Sequence, residues 1–364
     1  TGSVADLPRS TDFTIADDAV VGAYVLATSL VANTSAPRRD LRVVYSAMHG
    51  VGWEVAERVL AAAGADLRPV SEQQHPDPEF PTVAFPNPEE PGAMDLTFAH
   101  AAGVGADLAV VNDPDADRLG VAIPTRDGSW RALLGNEIGL LLGWRAAQRL
   151  VASGQTDAVL ACSLVSSPAL ALIAAATGLR HEETLTGFKW ISRVEHIGFG
   201  YEEALGFLVD PAKVRDKDGI SAALDFLVMA SELAAEGRSI EDRLDELAEL
   251  VGGTASGQVS VRVTDLAEIS RMSTRLRDQP PAEIAGRAVV SIDDFLTGVG
   301  EFARGDILRY RLNDGSRIIV RPSGTEPKLK VYLDAMVSGP GAGADLRSRA
   351  AAPIAEPEAS AREL

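Results

Sequence analysis

Apolar positions in this chain fall into two rhythms that alternate along its length. Residues 17–32 and 53–63 place them at helical spacing, whereas 41–46 and 106–111 are short apolar runs bounded by turn residues and read as strands. Between the first strand and the second helix lies a glycine turn, His49-Gly50-Val51-Gly52, and Gly64 ends that helix. Strand, glycine turn and helix together are an α/β signature. A proline-rich loop from Pro76 to Pro91 follows, then helical character at 95–102, the strand at 106–111, and a hairpin, 119–123 and 130–133, turning at Arg126-Asp127-Gly128. The same alternation restarts near Leu134: a helix at 136–151, a strand at 158–162, a helix at 169–176 closed by Gly178, extended chain at 182–185 and 199–206, and a long helix at 220–235. Ile240, Leu244, Leu247 and Val251 share one face of a further helix, with Ser239 as N-cap and Gly252 as its stop. From about Gly257 short alternating strands (259–263, 318–320, 330–333) surround one helix, at 265–276. The pattern predicts units at 1–133, 134–253 and 254–337, the first two sharing a topology. It makes 338–364, rich in Gly, Ala and Pro and interrupted by Pro353 and Pro357, a poorly ordered tail.

With 364 residues, 46% of them hydrophobic, the chain is long enough for two or three cores. Its formal charge of −18, from 34 basic and 52 acidic residues, argues against nucleic acid or an anionic membrane as the main partner. An anionic substrate must then be held by local cations against an unfavourable field. Cys162 is the single cysteine, so no intramolecular disulfide forms, and no apolar run approaches the roughly 20 residues of a membrane span. The N-terminal residues do not resemble a signal peptide, and a soluble cytoplasmic protein is the simplest expectation. Lysine is scarce: Lys189, Lys213, Lys217, Lys328 and Lys330 are the only ones, and each falls in or beside a motif.

The most informative motif is Asn112-Asp113-Pro114-Asp115-Ala116-Asp117-Arg118, directly after a predicted strand. Three short carboxylates at i, i+2 and i+4 can converge on one hard divalent cation, and Arg118 adds a planar fork for a phosphate or carboxylate. An EF-hand loop is excluded, because Arg118 stands where glycine is needed and Pro124 where glutamate is needed. A nucleophilic phosphatase loop would carry Thr where Asp117 stands. A second motif is Arg321-Pro322-Ser323-Gly324-Thr325-Glu326-Pro327-Lys328: Gly324 frees the backbone to turn, Ser323, Thr325 and local amides can cup a phosphate, and Arg321 and Lys328 supply charge. Glu202-Glu203 are carboxylates suited to vicinal hydroxyls, a weak signal alone. Thr186-Gly187-Phe188-Lys189 is weak by itself, Asp218 reads as a helix cap, and His49 reads equally as a packed turn residue or a catalytic one.

Taken in order, these motifs resemble the α-D-phosphohexomutase superfamily of phosphoglucomutases, phosphomannomutases and phosphopentomutase relatives. The pieces that match are Asp113 to Arg118, Thr186 to Lys189, Glu202 to Gly206, Lys217-Asp218-Gly219 and Arg321 to Lys328. The resemblance implies two α/β domains of mixed sheet with packed helices, then a smaller α+β C-terminal domain. It implies Mg²⁺ on Asp113, Asp115 and Asp117, with Arg118, Lys189 and His49 as catalytic candidates. Glu202 and Glu203 would bind the sugar hydroxyls, and Arg321, Ser323, Gly324, Thr325 and Lys328 the unreacting phosphate. The implied reaction interconverts the 1- and 6-phosphates of a hexose, glucose or mannose, through a hexose 1,6-bisphosphate and a phosphoserine. That serine belongs to an N-terminal domain, in a loop where Ser is followed by His-Asn; no such sequence occurs here. The chain is therefore expected to lack this domain, which would be its partner, and to be inactive alone. A non-catalytic sugar-phosphate-binding protein, a metal-dependent phosphatase and a pentose-phosphate preference are the alternatives.

Overall fold

The protein was analysed as a computed structural model, which describes residues 3–263, 266–284, 286–300, 302–322 and 328–361. Its first part contains α1 (Asp18–Ser29), β1 (Arg42–Ser46), α2 (Trp53–Leu60), β2 (Asp66–Pro69), α3 (Asp95–Val104), β3 (Leu108–Val111), β4 (Gly120–Pro124) and β5 (Trp130–Ala132). The sheet runs β2-β1-β3-β4-β5, with β1 parallel to both neighbours and the later pairs antiparallel. β1 and β3 are almost wholly buried, as their unbroken apolar runs require of parallel strands covered on both faces.

The second part contains α4 (Gly135–Ala152), β6 (Val159–Ser163), α5 (Ala169–Thr177), β7 (Arg180–Thr184), α6 (Phe188–Ile191), β8 (Ile197–Glu202), β9 (Gly206–Leu208), α7 (Gly219–Ala235) and α8 (Ile240–Val251). Its sheet, β7-β6-β8-β9, repeats the order and directions of the first four strands of the first sheet. α8 begins as its sequence demands: Ser239 accepts from the Asp242 amide, and Asp242 accepts from the Ser239 amide. The two parts do not have separate cores. α7 packs on α1 and α2 as well as on β9, and one apolar cluster runs from Val43 and Tyr45 through Leu141 and Phe199 to Leu224 and Phe226. Each such fully buried side chain contributes roughly 1.5–3 kcal/mol, so the two sheets are held as one layered body.

The third part contains β10 (Gly253–Arg262), α9 (Leu266–Asp278), β11 (Glu283–Ile284), β12 (Arg287–Asp294), β13 (Leu308–Leu312), β14 (Arg317–Pro322), β15 (Lys328–Val337) and α10 (Gly343–Ala361). Its sheet is antiparallel, β10-β15-β14-β13-β12-β11. Alternation sorts its two faces. Ile318, Val320, Leu329, Val331 and Leu333 pack with Ile269 of α9, whereas Ile319 and Tyr332 pack with Leu164 and Val165 of the second part.

The expected poorly ordered tail is corrected by α10. A proline inside a helix costs about 3 kcal/mol, which is why Pro353 and Pro357 argue against one. Tertiary packing overrides that signal at the helix's start: Leu346 and Ala350 are buried, and α10 lies on β10, β15 and α8. The approach is close enough that a Cβ on Gly253 would sit 2.0 Å from the Leu346 carbonyl oxygen. Among the described residues, no helix is long and apolar enough to cross a membrane.

Candidate active site

The aspartate motif is the turn between β3 and β4. The buried Asn112 holds it closed, accepting from the Tyr45 hydroxyl at 2.8 Å and donating from Nδ2 to the Arg118 carbonyl at 2.6 Å. The Arg118 amide donates to Asp113 Oδ1 at 3.0 Å, and Ala116, at φ +59°, takes the left-handed conformation that reverses the chain. The result gathers Asp113, Asp115 and Asp117, with one oxygen from each lying within 4.8 Å of the others. Burial, with the charges of Asp115 and Asp117 adding to it, pushes the Asp113 carboxyl up to about 6. An all-oxygen set converging from one turn, with mutual repulsion to relieve, fits a hard divalent cation.

Two neighbouring backbones shape this turn from outside. Gly50 packs so tightly that a Cβ there would lie 2.2 Å from Pro114 Cα, and the Val51 amide donates to the Pro114 carbonyl at 2.9 Å. Gly219 is equally constrained, since a Cβ would lie 2.2 Å from the Arg118 oxygen. Lys217, just before α7, forms an ion pair with Asp117. His49 sits in the glycine turn at φ +59°, buried, its Nε2 2.7 Å from Thr82 Oγ1 and its ring edge-on to Phe80. The structure thus gives its imidazole an anchoring contact in the turn behind the aspartate loop.

The Glu202-Glu203 pair lies in the turn between β8 and β9, the equivalent place in the second sheet. Leu205, at φ +63°, reverses the chain as Ala116 does. The two turns meet directly: the Leu119 amide donates to the Leu205 carbonyl at 3.0 Å, and Arg118 bridges to Gly206. Glu202 lies over Gly206 beside Lys217, and burial together with the Glu203 charge raises its carboxyl to about 7. Glu203 points the other way, its Oε2 accepting from Ser163 Oγ at 3.0 Å and Ser166 Oγ at 3.3 Å.

The C-terminal sheet supplies the cations. Arg321 pairs in register with Lys330, and period-two alternation sets Lys328, Lys330, Tyr332 and Asp334 on one face of β15. Glu203, Lys328, Lys330 and Tyr332 line one cleft of about 590 Å³ between the parts. Ser323, Gly324 and Thr325 lie outside the described residues. Lys189 is exposed on α6, its ammonium 5.6 Å from the Trp190 ring centre; the described contacts do not join it to the aspartate turn.

Sequence reasoning assigns no role to Lys217, Lys330, Ser163 or Ser166. The scarcity of lysine is a usable signal for the first two, and the alternation after Lys328 a second one for Lys330. Nothing in the sequence distinguishes Ser163 or Ser166 from any other serine at a strand end.

Three mixed or antiparallel sheets that bring an aspartate turn, a glutamate turn and a row of cations together define a fold and site of the phosphohexomutase kind. Family models described as phosphoglucomutase/phosphomannomutase alpha/beta/alpha domain II, alpha/beta/alpha domain III and C-terminal domain match residues 23–128, 134–251 and 259–341. The chain belongs to the phosphoglucomutase/phosphomannomutase family. It is 49% identical over 340 residues to a probable phosphomannomutase of Haemophilus influenzae, covering 93% of this chain and 68% of the relative. It is 35% identical to a phosphopentomutase of Mus musculus, covering 81% of this chain and 52% of the relative. It is 34% identical to a phosphoglucomutase of Staphylococcus epidermidis, covering 82% of this chain and 58% of that protein. The fold is similar to the crystal structure of a putative phosphomannomutase from Thermus thermophilus, with a TM-score of 0.64, 19% identity and coverage of 94% of this chain and 66% of that one. The chain thus spans between half and about two thirds of the length of these proteins.

Proposed function

We propose that this chain carries the metal-, sugar- and phosphate-binding parts of a sugar-phosphate mutase that interconverts the 1- and 6-phosphates of glucose or mannose through a 1,6-bisphosphate and a phosphoserine. The observation that carries the reading is the direct meeting of the aspartate and glutamate turns at Leu119–Leu205 and Arg118–Gly206, in a fold whose third sheet sets Lys328 and Lys330 in one cleft with Glu203 and Leu205 of the glutamate turn. Asp113, Asp115 and Asp117 would hold Mg²⁺, which when bound would neutralise charge on a transferring phosphoryl group. Arg118 orients that group. Glu202 holds the sugar hydroxyls in either of two orientations, since a carboxylate accepts from neighbouring hydroxyls without distinguishing the ends of the ring. Arg321 and Lys328, with Ser323, Gly324 and Thr325, grip the phosphate at the far end of the sugar. The phosphoserine is taken to belong to a further N-terminal domain, because no Ser-His-Asn sequence occurs in the chain.

The reading predicts that the purified 364-residue chain binds glucose 1-phosphate but does not convert it. Arg321→Ala should weaken that binding about tenfold, the effect of losing one charge-assisted contact. Titration calorimetry and a coupled assay for glucose 6-phosphate test both parts: steady conversion, or binding unchanged by Arg321→Ala, would overturn them. The similarity to the mouse phosphopentomutase supports a second substrate choice, a pentose phosphate, and ribose 1-phosphate in the same titration distinguishes the two.

A further inference from the structure

Glu202 and Glu203 are adjacent in sequence and have opposite surroundings. Glu203 is fixed on three sides. Its amide donates to Ser166 Oγ at 3.1 Å, its carboxylate accepts from Ser163 and Ser166, and its carbonyl lies where a Cβ on Gly135 would come within 1.8 Å. From the C-terminal sheet, the buried Tyr332 lines the same cleft as Glu203.

Ser166 is itself a member of a closed ring that crosses between the second and third parts. Its carbonyl accepts from Arg317. Arg317 Nε donates to Asp334 Oδ2 at 2.8 Å, and Asp334 Oδ1 accepts from Ser256 Oγ at 2.7 Å. Ser256 Oγ accepts from Asn136 Nδ2 at 2.8 Å, and Asn136 Oδ1 accepts from the Ser167 amide at 2.8 Å, which returns the ring to its start. Glu183 of β7 braces it, pairing with Arg317 and Arg309 at 3.1 Å each. Arg317 and Asp334 are buried, so breaking the ring would leave a buried charge without its partner.

The same sheet face joins this ring to the cations. On β14 and β15 the register runs Arg317 with Asp334, Ile319 with Tyr332, and Arg321 with Lys330. The ring is at one end, Arg321 and Lys330 at the other, and Tyr332, which lines the cleft with Glu203, between them.

We propose that Glu203 is a positioning residue and not a sugar ligand: through Ser163, Ser166 and the Arg317–Asp334 ring it fixes the glutamate turn to the C-terminal sheet, so that Glu202 faces the sugar at a set distance from the cations that hold the phosphate. The inference rests on the sugar-phosphate reading. It assigns the two carboxylates different tasks, which a shared role as hydroxyl acceptors does not.

The test uses this chain with two probes, glucose 1-phosphate and inorganic phosphate, in calorimetry. A positioning carboxylate acts as an acceptor for two serine hydroxyls, a task an amide oxygen also performs. Glu203→Gln should therefore keep glucose 1-phosphate affinity within about threefold, while Glu203→Ala and Ser166→Ala each lower it about tenfold and their effects do not add. Inorganic phosphate affinity should be unchanged in all three. Equal losses in Glu203→Gln and Glu203→Ala would make Glu203 a sugar ligand and overturn the proposal. A fall in melting temperature with no change in affinity would make it merely structural, also overturning it. If the unmodified chain binds neither probe, the sugar-phosphate reading fails, and the positioning role is judged by amide hydrogen exchange: Ser166→Ala should speed exchange in the 203–206 turn by about tenfold or more. Unchanged protection there would overturn it independently.

Discussion

The aspartate turn and the glutamate turn occupy the same place in two copies of one topology, and they differ in how they are held. Each joins the third strand of its sheet to an antiparallel fourth, and each reverses at one non-glycine residue of positive φ, Ala116 or Leu205. In each, the loop after the first strand braces the turn. In the first sheet that brace is backbone against backbone, Gly50 and Val51 on Pro114, so the bracing loop itself takes up none of the three carboxylates; Asp113 accepts from the Arg118 amide and Asp117 pairs with Lys217. In the second sheet it is side chain on side chain, Ser163 and Ser166 on Glu203, which uses one of the two carboxylates. A cation site needs convergent, repelling charges held by something other than those charges. A hydroxyl-binding site needs one carboxylate at a set position, and a second can be used to place it.

The largest effects should come from removing the two backbone approaches separately. Gly50→Ala forces a methyl into Pro114, and Gly135→Ala forces one into the Glu203 carbonyl; neither neighbour is the flexible end of a side chain. Each should destabilise the chain by about 3 kcal/mol through overpacking. The comparison is sharpened by what else is lost. Gly50→Ala should abolish calorimetric binding of Mn²⁺ while sparing inorganic phosphate. Gly135→Ala should spare Mn²⁺ and remove the preference for glucose 1-phosphate over phosphate. Loss of both ligands in both variants would show that the turns are not independently braced.

A smaller effect separates charge from stability within the aspartate turn. Asp115 is its exposed member, so Asp115→Asn removes one carboxylate of the cluster without opening a cavity. Mn²⁺ affinity should fall by about tenfold or more, and the melting temperature of the metal-free chain should stay within about 1 °C or rise, because one source of like-charge repulsion is gone. A large fall in metal-free stability would mean that the cluster holds the fold together and is not poised for a cation.

Much of this is legible in the sequence, and what is not has physical reasons. Ser239 and Gly252 bound α8 correctly because caps are local chemistry. The aspartate motif announces its own geometry, since i, i+2, i+4 spacing after a buried strand leaves few alternatives. β12 is harder to see: Val290 and Ile292 are exposed, which blurs the alternation a strand normally shows. α10 is hidden because Pro353 is a local signal, while the packing of Leu346 against Gly253 is a contact between distant parts of the chain. The opposite orientations of Glu202 and Glu203 are out of reach for the same reason, because Ser163 and Ser166 reach Glu203 only through the fold.

The smallest predicted effect concerns the carboxylate left free. Burial beside Glu203 raises Glu202 from its ordinary 4.5 to about 7, while Lys217 and Arg118 oppose the shift and Asp117 adds to it. In the unfolded chain the carboxyl releases its proton near its ordinary value; in the folded chain it retains it to about 7. Between those limits the folded state binds more protons, so stability is greatest below about 4.5 and falls as pH rises through about 7, levelling off above. Because the turn borders a solvent-filled cleft, the contribution is about 1 kcal/mol, or roughly 2 °C in melting temperature for a body of this size. Glu202→Gln carries no charge at any pH. It should match the parent chain at about pH 4.5 and exceed it by that margin at about pH 7.5, both measured with chelator present so that the aspartate turn contributes equally. Parallel melting curves across that window would mean that Glu202 is hydrated as an ordinary surface carboxylate. The contrast between a free and an anchored glutamate would then lose its electrostatic support.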